Sequence, residues 1–352
     1  VAARSTEGLT VSLRVQVGAG WNIPVSDESQ VHGAVAAGTS AARVARLDAR
    51  STARCELLAA ELATNLVKHA YGGRLLVSAS EHGVVQLIAV DRGPGIPDVL
   101  ASMTDGYTTT SSLGGGLGTC RRAATQFDLY SRPGQGTVVL ARVGAAAADG
   151  ADGIEVGGVL TPHPAESAAG DGYGVAWEGD RLTVVVVDGL GHGPAAAEAR
   201  QAALDVAGRH TVTDVARLLR EIDAGLRTTR GAAAGVAQVD GWARRLTYGG
   251  VGNVAGRLHP PREGRTLLSV PGILGAGVPA RSHRLDSADW TGPALLVLHS
   301  DGINGRWRLE DYPQADRHHP AVLAALIWRD ANRGNDDATV VVVRTPTDRG
   351  TR

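Results

Sequence analysis

Lysine is almost absent from this chain: its 352 residues hold a single one, Lys68, and every other member of the Lys+Arg set is arginine. Phenylalanine and methionine also occur once each, so any core has to be built from Val, Leu, Ile and Ala. Cysteine occurs twice, at Cys55 and Cys120. That is too few for a disulfide framework and fits a reducing compartment, with both thiols serving as small buried hydrophobes. No charge of one sign prevails, since 35 Lys+Arg stand against 36 Asp+Glu for a formal net charge of −1. Without a run of like charge there is no electrostatic footprint for nucleic acid or for an anionic membrane. No apolar run approaches the ~20 residues of a membrane span, and the segment after Val1 lacks the basic-then-apolar pattern of a secretory signal. A cytoplasmic location is the expectation.

Apolar residues make up 43% of the chain, enough for two cores, and domains of roughly 100–200 residues make two the natural count. Val11–Val17 alternates as a strand does. Asp27–Leu47 and Ser51–Ala70 carry helical stripes, the second with Ser51 as its expected cap. Arg74–Ser80 and Val84–Val90 predict a hairpin, and a helix is expected near Thr119–Phe127, followed by closing strands at Asp128–Ser131 and Gly136–Val143. Gly144–Gly153 has no large apolar residue and reads as a linker. Beyond it, strand-like runs at Gly174–Trp177, Leu182–Val187, Gly235–Val239, Arg245–Gly249, Ala294–His299 and Ala338–Val343 mix with helical runs at Pro194–Arg209, Val212–Leu226 and Pro320–Arg329. The expected division is 1–143, a linker at 144–153, and 154–346, all of α+β class.

Three segments of the first half carry chemistry. In Glu61-Leu62-Ala63-Thr64-Asn65-Leu66-Val67-Lys68-His69-Ala70, Glu61, Asn65 and Lys68 fall on one helix side. An acid, an amide and an amine there suit a Mg²⁺-bound triphosphate, although a solvated helix face would look the same. Asp91-Arg92-Gly93-Pro94-Gly95-Ile96 follows a strand; an Asp there can read a base amino group, and a Gly-Pro turn is the alternative. The Thr/Ser/Gly stretch from Asp105 to Gly118 runs toward a helix start, a phosphate-favouring place, and a flexible surface loop is the alternative.

In the second half, acidic segments recur at strand ends: Gly170-Asp171-Gly172-Tyr173, Asp188-Gly189-Leu190-Gly191-His192-Gly193, Ser300-Asp301-Gly302 and Asn335-Asp336-Asp337-Ala338-Thr339. Singly each Asp-Gly has the composition of a turn. Together they can bring hard oxygen ligands to one sheet edge, which suits Mg²⁺ or Mn²⁺ and the activation of a water. His192 suits a general acid, with a structural or solvated loop histidine as the alternative; His299 reads as a packed strand residue, and His318-His319 carries no assignment.

ELATNLVKHA, DRGPGI and GGGLG, in that order, resemble the N box and two glycine boxes of the GHKL ATPases, and within them the anti-sigma and switch-protein serine kinases. The resemblance covers about residues 10–143. It implies an α/β sandwich that binds ATP, with Glu61 as general base, Asn65 as Mg²⁺ ligand and Asp91 reading adenine. Gly93, Gly95 and Thr137 would surround the base, and Lys68, Gly114, Gly116 and Gly118 would meet the phosphates. GDGY, DGLGHG, SDG and DDAT resemble the SpoIIE-like type 2C metal-dependent phosphatases over about residues 153–345. That implies a β-sandwich flanked by helices and a binuclear Mn²⁺/Mg²⁺ centre held by Asp171, Asp188, the Gly189 carbonyl, Asp301 and Asp336, with Asp336 preferred to Asp337. No counterpart of the phosphate-binding arginine of the eukaryotic enzymes is visible. The two resemblances imply a bacterial regulator that phosphorylates and dephosphorylates a serine or threonine of a STAS-type antagonist, or of another phosphoprotein in a sigma-factor circuit. Homodimers occur among such kinases. Two alternatives are an ATP-sensing or anti-sigma-binding first half that regulates the phosphatase without phosphotransfer, and a second half that is a scaffold without metal.

Overall fold

The computed structural model describes residues 15–102, 116–144, 153–210, 213–259, 264–277 and 284–345. Residues 11–14 of the first expected strand, most of the Thr/Ser/Gly stretch including Gly114, and residues 145–152 of the expected linker lie outside the described residues.

The first half runs β1 (Val15–Val25), α1 (Val31–Val44), α2 (Ala49–Ala70), β2 (Gly73–Ser80), β3 (Val84–Val90), the single turn α3 (Val99–Ser102), α4 (Gly116–Ala123), β4 (Gln126–Arg132) and β5 (Gly136–Gly144). The cap of α2 is not Ser51 but Asp48, whose carboxylate accepts the Ser51 N–H at 2.7 Å. A carboxylate caps a helix start as well as a hydroxyl does and adds a favourable charge at the dipole's positive end. The same helix ends where Tyr71 and Gly72 turn to positive φ (57° and 107°). Residues 124–127, expected as helix, instead lead into β4. One face of this sheet buries Leu75, Val77, Leu87 and Ala89 against Leu58, Leu62 and Leu66 of α2 and the alanines of α1.

The second half runs β6 (Glu155–Thr161), β7 (Asp171–Glu178), β8 (Arg181–Gly189), α5 (Pro194–Arg209), α6 (Val215–Gly225), β9 (Ala232–Asp240), β10 (Arg245–Val251), β11 (Ala255–His259), β12 (Arg265–Leu267), β13 (Leu285–Asp289), β14 (Leu295–His299), α7 (Pro320–Ala331) and β15 (Ala338–Arg344). Two sheets face each other. Tyr173, Val175, Leu182, Val184 and Val186 of one interlock with Leu160, Leu296, Leu298, Val341 and Val343 of the other. The stripe Val215, Leu218, Leu219 and Ile222 seats α6 beside α5 on the outer face, as the i, i+3, i+4, i+7 spacing dictates.

The halves are not separate bodies on a string. β1 pairs with β2 on one side and, through Val15–Val17, with β7 on the other. Ten antiparallel strands thereby join in the order β13-β10-β9-β8-β7-β1-β2-β3-β5-β4. Helix α7 explains the rest of the union. Its sequence is apolar on every side, and a helix apolar all round has to be covered all round. Every residue from Pro320 to Trp328 is buried. One side lies on Leu295, Val297, Val340 and Val342, the other on Leu76, Ile88, Val90, Val138 and Leu140 of the first half. This is why β3 reads as a nearly unbroken apolar run: both of its faces are covered, one by α1 and α2, the other by α7.

Candidate functional site

Helix α2 presents Glu61 and Asn65 one turn apart, both half-buried. Glu61 lies near Cys120 of α4, whose thiol is pushed up to about 12, chiefly by burial and then by the Glu61 charge. The Asn65 Nδ2 is buried without a hydrogen-bond partner. A Cβ at Gly116 would stand 3.0 Å from Asn65 Oδ1, so a larger residue at the start of α4 would press on the amide. Gly118 is buried inside α4, and Lys68 is exposed further along α2.

Asp91 follows β3 and is almost fully buried. Its Oδ1 accepts the N–H groups of Gly93 (2.7 Å) and Thr137 (3.1 Å), while neither contact uses Oδ2. Burial raises the pKa of this carboxyl, against the opposing pull of those two N–H groups and of Arg329. The glycines around it are steric necessities. A Cβ at Gly93 would stand 2.8 Å from Ala70 Cα, and Gly95, at φ +71°, would drive one into the Arg132 carbonyl. The Thr137 hydroxyl meets Ser131 Oγ at 2.8 Å.

In the second half, Asp171 opens β7 and Asp188 stands directly opposite it near the end of β8. Asp171 shares the strand parity of Tyr173 and Val175, and Asp188 that of Val184 and Val186. Both carboxylates therefore belong to the inner faces, at the open end of the sandwich. From the facing sheet come Asp301, just after β14, and Asp336, just before β15, two adjacent strands. Ser300 donates its hydroxyl to Asp171 Oδ2 (2.6 Å) and accepts the Thr339 N–H (3.0 Å). Asn253 donates to Asp301 Oδ2 at 2.6 Å. Asp337 ties down the rim: it accepts the N–H groups of His163 (2.7 Å) and Gly170 (2.9 Å). Gly189 fits because a Cβ would strike the Ala196 carbonyl. His192 pairs with Glu166 at 2.8 Å and stacks on His163, and His299 packs on Trp307.

The electrostatics of this end are those of clustered anions, with the buried Arg200 the cation felt by Asp171 and Asp337. Asp188 is pushed up to about 7 by burial and by the charges of Asp301 and Asp336, and Asp171 is raised by burial and by Asp188. Among the described residues, no three His, Cys, Asp or Glu side chains already close into a metal cage. Converging carboxylates that repel one another when buried are nonetheless the donor set that a hard divalent cation relieves. In the first half, the unpartnered Asn65 Nδ2 beside Gly116 is a donor that fits a phosphate oxygen, whereas a cation would take the amide through Oδ1.

Sequence reasoning did not single out Asn253 or Glu166, and it named Ser300 and Asp337 only as members of their motifs, without the supporting bonds they make. For Asn253 the only local sign is the turn at Gly252, φ +92°. The junction between the halves was also invisible. Arg329 of α7 donates to the carbonyls of Gln135 (2.8 Å) and Asp91 (3.3 Å), and Arg92 bonds the Arg329 carbonyl and Asp330.

Known proteins resemble the chain in both respects. The family of histidine kinase-like ATPase domains matches residues 24–143. The serine/threonine-protein kinase RsbT of Bacillus subtilis (strain 168) is 37% identical over 92 residues, 25% of this chain and 69% of RsbT. The phosphoserine phosphatase RsbX of the same strain is 29% identical over 140 residues, 40% of this chain and 69% of RsbX. A solved structure described as "The bacterial stressosome: a modular system that has been adapted to control secondary messenger signaling" is 30% identical with a TM-score of 0.51, over 54% of this chain and 99% of its own.

Proposed function

This chain belongs to the partner-switching regulator family, with a GHKL-type ATPase half related to RsbT fused to a type 2C phosphatase half, and from that premise we propose that it sets the phosphorylation of a serine or threonine on a partner protein. In this reading residues 1–143 form the ATP-binding module, 144–153 the linker and 154–346 the phosphatase module. The partner is a STAS-type antagonist of a sigma-factor circuit, and the protein works in the cytoplasm. The observation that carries the phosphatase assignment is the apposition of Asp171 and Asp188 across β7 and β8, with Asp301 and Asp336 entering from the facing sheet.

Asp171, Asp188, the Gly189 carbonyl, Asp301 and Asp336 would hold Mn²⁺ or Mg²⁺, which when bound supplies an acidified water for attack on phosphorus. Ser300 and Asn253 keep the carboxylates of Asp171 and Asp301 aimed, and Asp337 holds the 163–170 loop at the rim. In the first half, Glu61 would orient a substrate hydroxyl and take its proton. Asn65 would ligate the Mg²⁺ of ATP. Asp91 would accept the adenine amino hydrogen through its free Oδ2, with Gly93, Gly95 and Thr137 around the base. Lys68, Gly114, Gly116 and Gly118 would face the phosphates.

The test is turnover of p-nitrophenyl phosphate with Mn²⁺ by the wild type and by Asp188→Ala. Activity that falls to background in the variant, with its circular dichroism unchanged, supports the reading. A wild type that hydrolyses neither this ester nor a phosphorylated STAS-type protein, with Mn²⁺ or Mg²⁺, sinks it. A second reading, in which the ATPase half senses nucleotide and regulates the phosphatase without phosphotransfer, is favoured by the bond from Arg329 to the Asp91 carbonyl. Glu61→Ala separates the two. A loss of phosphotransfer with ATP binding intact supports the kinase, whereas a wild type that binds ATP and transfers nothing supports the sensor.

A further inference from the structure

Strand β1 outruns one of its neighbours. Its ladder with β2 continues to Val25, but its ladder with β7 stops at Val17, opposite Tyr173. β7 itself begins only two residues beyond that point, at Asp171. Along Gly20–Pro24, on the side where β7 would have continued, no strand pairs with β1 and no backbone hydrogen bond is made among the described residues. An open strand edge is a template for another strand unless it is blunted. Here the blunting is confined to one end, at Pro24, which has no N–H. Trp21 and Ile23 turn toward the α1–α2 core; Gly20 is buried with the Leu160 carbonyl close over it, and Trp21–Ile23 are half-buried, so this edge faces the cleft and not bulk solvent.

This edge lines a cleft of about 810 Å³ between the two halves. Asn22 and Arg74 stand on the wall from the ATPase half. Pro162 and Ser167 stand on the facing wall, and Glu166 and Asp336 mark the cleft's continuity with the carboxylate site. The free edge and Asp336, one of the four carboxylates, therefore line the same cleft. Residues Gly20–Ile23 span about 13 Å at ~3.3 Å per residue, room for a four-residue strand. A chain paired there would lie on the line of β7, continued backward past its first residue. Its end nearest Ala19 would then abut Asp171, and through it Asp188.

We propose that the free edge of β1 is the docking strand for the phosphatase substrate. An extended, phosphoserine-bearing segment of the partner protein adds to the sheet at Gly20–Ile23 by backbone hydrogen bonds and delivers its phosphoserine to the Asp171–Asp188 end of the sandwich. The proposal rests on the phosphatase reading and deepens it: the ATPase half supplies one wall of the phosphatase's substrate groove. Backbone pairing gives affinity with little demand on sequence, and alternate side chains over Asn22 and Arg74 add selectivity. In the hydrolysis served, water adds to phosphorus, the P–O bond to the serine oxygen breaks, and that oxygen leaves with a proton.

The experiment uses the full chain and a nine-residue phosphoserine peptide with Thr and Val flanks, in versions N-methylated at one amide at a time, beside p-nitrophenyl phosphate. A strand added at an edge turns alternate N–H groups toward it. N-methylation in one alternate register is expected to lower kcat/KM by about tenfold through KM, with the other register near the parent peptide. As a second readout, a benzoylphenylalanine in the flank of the same peptide is expected to cross-link to residues 20–24 or 73–74. Equal turnover of all the N-methylated peptides, equal loss in both registers, or cross-links confined elsewhere overturns the docking strand while p-nitrophenyl phosphate is still hydrolysed. Failure to hydrolyse p-nitrophenyl phosphate at all overturns the phosphatase reading first, and the docking strand with it.

Discussion

Asp128 sits on β4 of the ATPase half, and its carboxylate holds the start of α7 in the phosphatase half. Its Oδ1 meets His318 Nδ1 at 2.9 Å and its Oδ2 accepts the His319 N–H at 2.6 Å. His318 also stands edge-on to Tyr130, and His319, beside Arg142, accepts the Ala321 N–H of α7 at 3.1 Å. Asp128→Asn keeps the size but leaves a single acceptor oxygen for three donors, the Leu129 N–H (2.8 Å to Oδ1), His318 and the His319 N–H, and sets an NH₂ group against one of the two bonds to the start of α7. Hydrogen bonds to a charged group contribute about 1.5–3 kcal/mol each, and one of the two survives in weakened form, so the expected loss is about 2–3 kcal/mol. With a urea slope of roughly 2–3 kcal/mol/M, the unfolding midpoint falls by about 1 M. The pH dependence follows from the sign of the shift. Burial raises the pKa of Asp128, but the bonds from His318 and His319 outweigh it and the folded value is lowered. The stabilisation is therefore fully present above the ordinary Asp value of about 4 and is lost as pH falls through the lower folded value. A difference between wild type and variant below about 0.5 kcal/mol at pH 7, or a gap that is widest in acid, would refute the reasoning.

Leu326 is fully buried in α7 between two sheets; Leu326→Ala should cost about 2–5 kcal/mol and lower both halves in one shared urea transition, seen alike by tryptophan fluorescence and circular dichroism. Gly95→Ala places a side chain at φ +71° against the Arg132 carbonyl. It should abolish binding of a fluorescent ATP analogue while p-nitrophenyl phosphate turnover persists. Arg329→Ala removes the donor to the Asp91 and Gln135 carbonyls and should weaken ATP binding by roughly three- to tenfold, read by calorimetry.

Much of the candidate site was legible because its chemistry is local. Asp91 with Gly93 and Gly95, or Asp188 with Gly189, are short strings whose glycines have steric reasons readable from their neighbours in the chain, and the strands leading to them carry their own apolar patterns. What failed locally was also instructive. Ser51 was the expected cap of α2 because it stands before the apolar stripe, whereas Asp48 reaches the Ser51 N–H from three residues earlier. Residues 124–127 continued a helical pattern but were claimed by the ladder of β4 with β5. Asn253 and Arg329 have partners 48 residues and up to 238 residues away, and no spacing rule along the chain reaches that far.

The sequence by itself determined that this protein carries two sets of boxes, in order, each with residues suited to phosphate and to hard cations. It also determined that α7, apolar on all sides, had to be buried completely. Only the tertiary structure decided what buries it: the back of the ATPase sheet on one side and β14–β15 on the other, so that two modules share a core. Register likewise is a property of the assembled sheet. It sets Asp171 opposite Asp188, and it ends the β1–β7 ladder at Val17, leaving the far part of β1 unpaired on that side. The physical reason is common to both. Local pattern tells a segment which face must leave water, but which distant segment covers that face, and in what register, is settled by long-range packing and hydrogen bonds that no stretch of sequence contains alone.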